Sequence, residues 1–143
     1  MADNTPKVFL DTNILIDYLL FRGDEALAAE YLFDSSLNGM IDIHIAAHSL
    51  TNIYYILRKE YSVAERNQII LNLCALCEVQ PVSGGNIEKA ITAGLATDVE
   101  DALQIQCAVD SNCEFFVTRD SELFAECPVR TVLPHELIRE LSL

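Results

Sequence analysis

Basic residues are scarce in this chain. Nine lysines and arginines stand against 22 aspartates and glutamates, a formal net charge of −13 over 143 residues. A protein that grips nucleic acid through charge alone carries the opposite balance. Either nucleic acid is not a partner, or a bound cation mediates the contact, or the partner is a basic protein. No apolar run approaches the roughly 20 residues that a membrane span needs. The opening residues, MADNTPK, lack the charged-then-apolar pattern of a secretory leader, which predicts a cytoplasmic protein. A disulfide framework is lacking too: the five cysteines, Cys74, Cys77, Cys107, Cys113 and Cys127, are odd in number and scattered. Cys74 and Cys77 form a C-x-x-C without a second pair or a nearby histidine, and read as small core residues on one helical face. His44, His48 and His135 fall in unrelated segments with no ligand spacing. Repeats, low-complexity tracts and linkers are not found. With 51% of residues apolar, residues 1–143 are expected to form one domain with a real core.

What is there centres on Lys7 to Leu20, KVFLDTNILIDYLL. The apolar run Val8-Phe9-Leu10 ends on Asp11, and a helical pattern starts at once. This predicts a buried strand that delivers a carboxylate to its C-terminal end, the edge where open α/β sheets bind ligands. Further on, helical spacing covers Glu25 to Leu37, and Asn38-Gly39 is a stop signal. Met40 to Ile45 reads as a strand, and His48 to Tyr61 as a helix with Ser49 as N-cap. Val63 to Cys77 reads as a helix, Glu78 to Val82 as a strand, and Ser83-Gly84-Gly85-Asn86 as a turn. Helices are expected over Ile87 to Ala96 and Asp98 to Val109. CEFFVT, Cys113 to Thr118, is the second strongly apolar strand. A short helical turn over Asp120 to Phe124, a strand over Val129 to Val132 and a helix from Pro134 to Leu141 complete the chain. Strands alternating with helices imply a parallel sheet covered on both faces. Its two most apolar strands should be central.

Acids arrive at the expected sheet edge from three places: Asp11, the run Asp98-Val99-Glu100-Asp101, and Asp120. Asp98 and Asp101 are three apart and share a helix face. Each has a bland role as well. Asp11 and Asp120 are good caps, and Thr97-x-x-Glu100 and Asp98-x-x-Asp101 both fit capping boxes. Their joint placement favours chemistry. Clustered carboxylates repel one another unless a cation neutralises them. Mg2+ or Mn2+ takes oxygen ligands, and two such ions ~4 Å apart can activate water and stabilise the leaving oxygen of a phosphodiester. A metal would also let so acidic a protein approach a polyanion.

VFLDTNILID resembles the opening h-h-h-D-T-N-h-h-h-D of PIN-domain proteins, of the kind found as VapC toxins of bacterial toxin–antitoxin pairs. DVEDALQIQCA resembles their central D-x-x-D-A segment, and CEFFVTRDSELF their T-x-D segment. The resemblance covers nearly the whole chain. It implies a three-layer α/β/α fold with a central five-stranded parallel sheet and a metal-dependent endoribonuclease using Mg2+ or Mn2+. It implies RNA as substrate, a small antitoxin as partner and a homodimer. Carried over by position, Asp11, Asp101 and Asp120 fall on catalytic metal-site acids and Asp98 on an additional one. Thr12, Asn13 and Thr118 fall on supporting polar positions. One departure stands out. A glutamate usual in the family, early in the helix after the second strand, is replaced here by Asn52, whose amide oxygen brings no charge. Glu60 is no substitute, because eight residues span about 12 Å of helix. This opens an alternative, a catalytically weakened domain acting as an RNA- or protein-binding module.

Other residues are ambiguous. Arg119 could reach a substrate phosphate or pair with a nearby acid. Arg22, Arg58 and Lys59 are candidate RNA contacts that helix-end pairing explains equally well. Asp17 is expected at the surface or in a dimer contact. An aspartate-nucleophile phosphatase would want an Asp where Asn13 stands. A phosphoacceptor receiver would need a lysine at a late strand end, and Lys7, Lys59 and Lys89 are not placed there.

Overall fold

The computed structural model describes residues 4–120 and 127–143. The apolar run after Pro6 forms β1 (Lys7–Leu10), and α1 (Thr12–Leu20) follows Asp11 directly. After α2 (Ala26–Leu37) the chain enters β2 (Asp42–Ala46), α3 (Ala47–Ile56) and α4 (Val63–Leu76). Then come β3 (Glu78–Gln80), α5 (Gly84–Ala93), α6 (Val99–Asp110), β4 (Phe115–Val117), β5 (Arg130–Val132) and α7 (Pro134–Glu140). The five strands form one parallel sheet in the order β3-β2-β1-β4-β5. The two most apolar strands, β1 and β4, are neighbours inside it, paired Val8 to Phe115, Phe9 to Phe116 and Leu10 to Val117.

Strand residues alternate between two buried faces. Val8, Leu10, Ile43, Ile45 and Val117 pack into one apolar layer with Ile14, Leu32, Ile53 and Leu137. Phe9, Ala46 and Phe116 face the other way, onto Ile105 and Ala108 of α6. The Phe9 and Phe116 rings stack with centroids 5.5 Å apart. Helices therefore cover both faces, a three-layer α/β/α arrangement. The chain winds outward from β1 through β2 to β3, then crosses back to place β4 on the other side of β1. That reversal opens a crevice at the carboxyl ends of β1 and β4. Among the described residues, no helix is long and apolar enough to cross a membrane.

Several local expectations are corrected. Ser49 is not an N-cap: β2 runs into α3 with Ala46 at the cap position, and Ser49 is fully buried inside the helix. The expected long helix to Tyr61 tightens to 3-10 geometry at Leu57–Lys59. Ser83 to Asn86 is a helix start rather than a turn. Ser83 accepts from the Asn86 N–H, and the Asn86 side chain accepts from the Ser83 N–H. The two glycines hid this reciprocal cap. The same helix stops at Ala93 because Gly94 takes a left-handed conformation, φ 62°. Cys74 is exposed and Cys77, past the end of α4, is buried, so they share no core face. Most of the helical turn expected over Asp120 to Phe124 lies outside the described residues.

Candidate functional site

Asp11 closes β1, and its N–H still bonds the Val117 carbonyl at 2.9 Å. Its backbone takes the N-cap position of α1, yet its side chain closes no capping hydrogen bond, although the Asn13 N–H faces it. The carboxylate turns instead toward β4 and α6. The Thr118 hydroxyl donates to Oδ2 at 2.8 Å, and Gln104 Nε2 donates to Oδ1 at 3.1 Å. Burial at 2% exposure pushes the Asp11 pKa up; the Thr118 and Gln104 hydrogen bonds pull against that, and the charge of Asp120 adds to it.

The Thr118 hydroxyl also accepts the Asp120 N–H at 3.1 Å. One hydroxyl thereby ties the last acid to the first. Thr12 is held by Gln104, whose Oε1 accepts the Thr12 N–H at 2.8 Å and its hydroxyl at 3.1 Å. The Thr12 hydroxyl pairs in turn with Ser49 at 2.7 Å.

Asp101, in the first turn of α6, has its pKa raised to about 6, first by desolvation and then by the charges of Asp11, Asp98, Glu100 and Asp120. Four acids from three segments thus act on one carboxyl group. Asp98 itself is exposed and is the N-cap of α6, accepting the N–H groups of Glu100 at 2.9 Å and Asp101 at 3.1 Å. The capping role foreseen for it is real, and it uses one carboxylate oxygen.

A cleft of about 280 Å3 opens over these groups, walled by Asp11, Thr12, Asn13, Ile16, Asn52, Tyr55, Ile56, Glu100, Asp101 and Gln104. Three of these residues are acids and none is a cation. A hollow of about 460 Å3 beside β5 and α7 is larger, but there Glu136 and Glu140 are matched by Arg130 and Arg139. Unmatched charge, not size, distinguishes the acid cleft. Tyr55 stands at its lip, 62% exposed, with the Arg58 guanidinium 3.8 Å from its ring centre.

One residue sits otherwise than expected. Asp17 is fully buried rather than at a surface, ion-paired with Arg22 and Arg119. Arg119 therefore forms the salt bridge foreseen as its second option, and Arg22 is engaged by the same partner. His44 meets Asp42 and Gln80, and His135 pairs with Glu25. The ring nitrogens of His48, one turn before Asn52, are buried and close no full hydrogen bond, although the Glu100 backbone faces the ring. Burial lowers its pKa, opposed by the charge of Glu100.

A family model for the PIN domain matches residues 7–122. The chain belongs to the PIN-domain family. No curated protein matches it. Solved PIN folds agree with this topology. A toxin–antitoxin complex from Klebsiella pneumoniae contains a chain 21% identical, over 89% of this chain and 97% of that one, with a TM-score of 0.65. VapC20 from Mycobacterium tuberculosis, described as a toxin cleaving the sarcin–ricin loop, is 14% identical over 83% and 94%, TM-score 0.65. VapBC2 from Rickettsia felis, solved on a fragment of promoter DNA, is 18% identical over 89% and 98%, TM-score 0.63.

In this PIN fold the sequence did not single out Gln104 or Tyr55, named Glu100 only within an acidic run and a capping box, and took Ser49 for an N-cap. Gln104 had a signal: it lies three positions after Asp101, on the same face of the helix. Ser49 had none, because its partner Thr12 is 37 residues away.

Proposed function

We propose that this chain is a divalent-metal-dependent endoribonuclease, using Mg2+ or Mn2+, and the toxin of a toxin–antitoxin pair. One observation carries the proposal: acids from the end of β1, α6 and the segment after β4 gather at the switch point of the sheet, where desolvation and then their charges raise the Asp101 pKa to about 6. Among the described residues, no group of three or more His, Cys, Asp or Glu side chains is arranged to hold a metal ion by itself. A hard cation does not require one, because Mg2+ keeps several waters and is bound through one or two carboxylates plus substrate phosphate. The donors present are all oxygens, and their uncompensated charge suits a cation. Of Asp11, Asp101 and Asp120, one or two would hold the ion directly and the rest through its waters, Asn52 would add its amide oxygen, and Asp98 would add charge beside them. When bound, the metal would activate water and stabilise the leaving oxygen of a phosphodiester.

The chain's own groups do the rest. Thr118 and Gln104 fix the rotamer of Asp11, and Ser49 and Thr12 extend that network into α3. Tyr55 and Arg58 offer an unpaired base a stacking surface at the lip of the cleft. The partner would be a small basic antitoxin, drawn by the net charge of −13, and the toxin would form a homodimer. The Klebsiella neighbour, solved as a toxin–antitoxin complex, supports the partner, and the mycobacterial neighbour supports RNA as substrate.

Calorimetric titration with Mn2+, comparing the parent with an Asp11→Asn/Asp101→Asn variant, tests the site. The parent should bind and then cleave structured RNA, and the variant should do neither. If the parent takes up no Mn2+ at millimolar concentration, the acids are structural and the binding-module alternative replaces this one.

A further inference from the structure

We propose that Asp17 is a positioning residue for the acid cluster: through Arg119 it clamps the segment Thr118 to Asp120 against α1, and so sets where Asp120 faces Asp11 and Asp101. Its consequence for metal binding rests on the function proposed above.

Asp17 has no exposed surface. Arg22 Nε donates to its Oδ1 at 3.2 Å. Arg119 Nε lies 3.1 Å from Oδ2 at an angle that makes the contact an ion pair rather than a hydrogen bond, so Oδ2 has no hydrogen-bond donor. The turn after α1 passes the carboxylate at Gly23, φ 82°, where a Cβ would lie 3.7 Å from Oδ2. A buried carboxylate is costly unless paired, and a buried ion pair adds little net stability over an apolar substitute. Stability alone therefore gives weak grounds for a charge here.

Position gives better ones. Asp11 precedes α1 and Asp17 lies within it, six residues on, about 9 Å along a rigid helix. The tripeptide after β4 meets both ends of that ruler. Thr118 donates to Asp11 and accepts the Asp120 N–H, while Arg119, between them, pairs with Asp17. The adjacent residues Thr118 and Arg119 are thus tied to points six residues apart, one just before α1 and one within it, which fixes the direction of the segment as well as its place. The clamp has a second effect of the same sign. Arg119 adjoins Asp120 in sequence, and Asp17 keeps that cation from neutralising the acid that a metal would need.

The test compares the parent with Asp17→Asn, Arg119→Gln and the double variant. Amide hydrogen exchange reads the segment without metal, and Mn2+ calorimetry reads the site. In Asp17→Asn the Asp120 amide should exchange several-fold faster, while the sheet amides of Asp11 and Thr118, bonded to Val117 and Val132, keep the parent rate. Mn2+ affinity should fall about tenfold, as for other residues that orient ligands. The double variant should be no worse than Asp17→Asn, because both changes break one contact. Unchanged exchange at Asp120, an equal rise at all amides, or additive losses would overturn the proposal. If Asp17→Asn does not fold, Arg119→Gln, a change at a partly exposed side chain, carries the same readouts. If the parent itself binds no Mn2+, the nuclease function fails, and exchange at Asp120 still decides the role of Asp17.

Discussion

The Gln104 amide and the Asp11 carboxylate form a matched pair: Nε2 donates to Oδ1 at 3.1 Å while Oε1 accepts the Thr12 N–H at 2.8 Å. Both partners are buried, at 1% and 2% exposure. One side chain therefore satisfies the carboxylate at the end of β1 and the first backbone donor of α1. The two roles fix which way the amide points, because reversing it would set oxygen against carboxylate and N–H against N–H.

Replacing Gln104 tests that pairing. Gln104→Leu removes a donor to a buried carboxylate and an acceptor from a buried N–H, and should cost about 3 kcal/mol in urea denaturation. Gln104→Glu keeps the shape but sets a second carboxylate against Asp11. At pH 7 it should be the less stable of the two, and the gap should close as acid protonates the pair. A Glu variant as stable as the parent at pH 7 would mean that the hydrogen bond to Asp11 is not formed.

The raised pKa of Asp101, about 6 against an ordinary 3.8, sets a pH dependence. The folded protein holds this proton more tightly than the unfolded chain. The group therefore costs no stability below about pH 4, costs progressively more as pH rises toward 6, and carries its full penalty above that. Asp11, also shifted upward by burial, acts with the same sign. Asp101 is partly exposed, so solvent screening holds its share to about 1 kcal/mol, or about 3 °C in Tm for a chain of this size. Asp101→Asn should melt above the parent at pH 7 and level with it at pH 4. Mn2+ should raise the parent's Tm at pH 7 and have far less effect at pH 4, where Asp101 holds its proton. Scanning calorimetry across this range, with and without metal, checks all of these.

The layers and the acid positions were legible in the sequence because they depend on local pattern. Val8-Phe9-Leu10 and Phe115-Phe116-Val117 read as buried strands without a model of the whole, and the helical pattern expected directly after Asp11 is where α1 begins. Asp11 could not be told from a cap until its oxygens were seen on Thr118 and Gln104, 107 and 93 residues away. The same distance in sequence hid the Ser49–Thr12 bond and the burial of Asp17. A periodic pattern shows which face of a helix is apolar, but not that an acid on it meets two arginines. Ser83 misled for the opposite reason. Its Gly-Gly neighbours are strong turn residues, and the cap that overrides them lies in the Asn86 side chain.

Asn52 sits in the acid cleft where its amide adds no charge. Asn52→Glu would add a further carboxylate to walls that already hold Asp11, Glu100 and Asp101 without a cation. Without metal the variant should melt lower at pH 7 than the parent, since repulsion grows. With Mn2+ the order should reverse, and affinity should rise by about tenfold. Paired melting curves and titrations check this. A variant that loses stability without gaining affinity would place residue 52 outside the reach of the ion.

Tyr55 reports on the substrate rather than the metal. Its ring is 62% exposed at the cleft, with Arg58 over the ring and bonded to the Tyr55 carbonyl at 2.9 Å. Stacking of an unpaired base on an aromatic ring is worth about 2 kcal/mol, and Asp11 and Asp101, the acids proposed to hold metal, are less exposed than Tyr55. Tyr55→Ala should therefore raise KM for single-stranded or loop RNA by about thirtyfold while leaving Mn2+ affinity at the parent value. Tyr55→Phe, which keeps the ring and loses only the hydroxyl, should stay near the parent. An abasic substrate at the stacked position should bind parent and Tyr55→Ala alike, because no base remains to be held. If Tyr55→Ala and parent bind the ordinary substrate equally, the ring does not touch RNA. Its exposure together with Ile56 then belongs to a protein contact, which loss of antitoxin binding in the same variant would reveal.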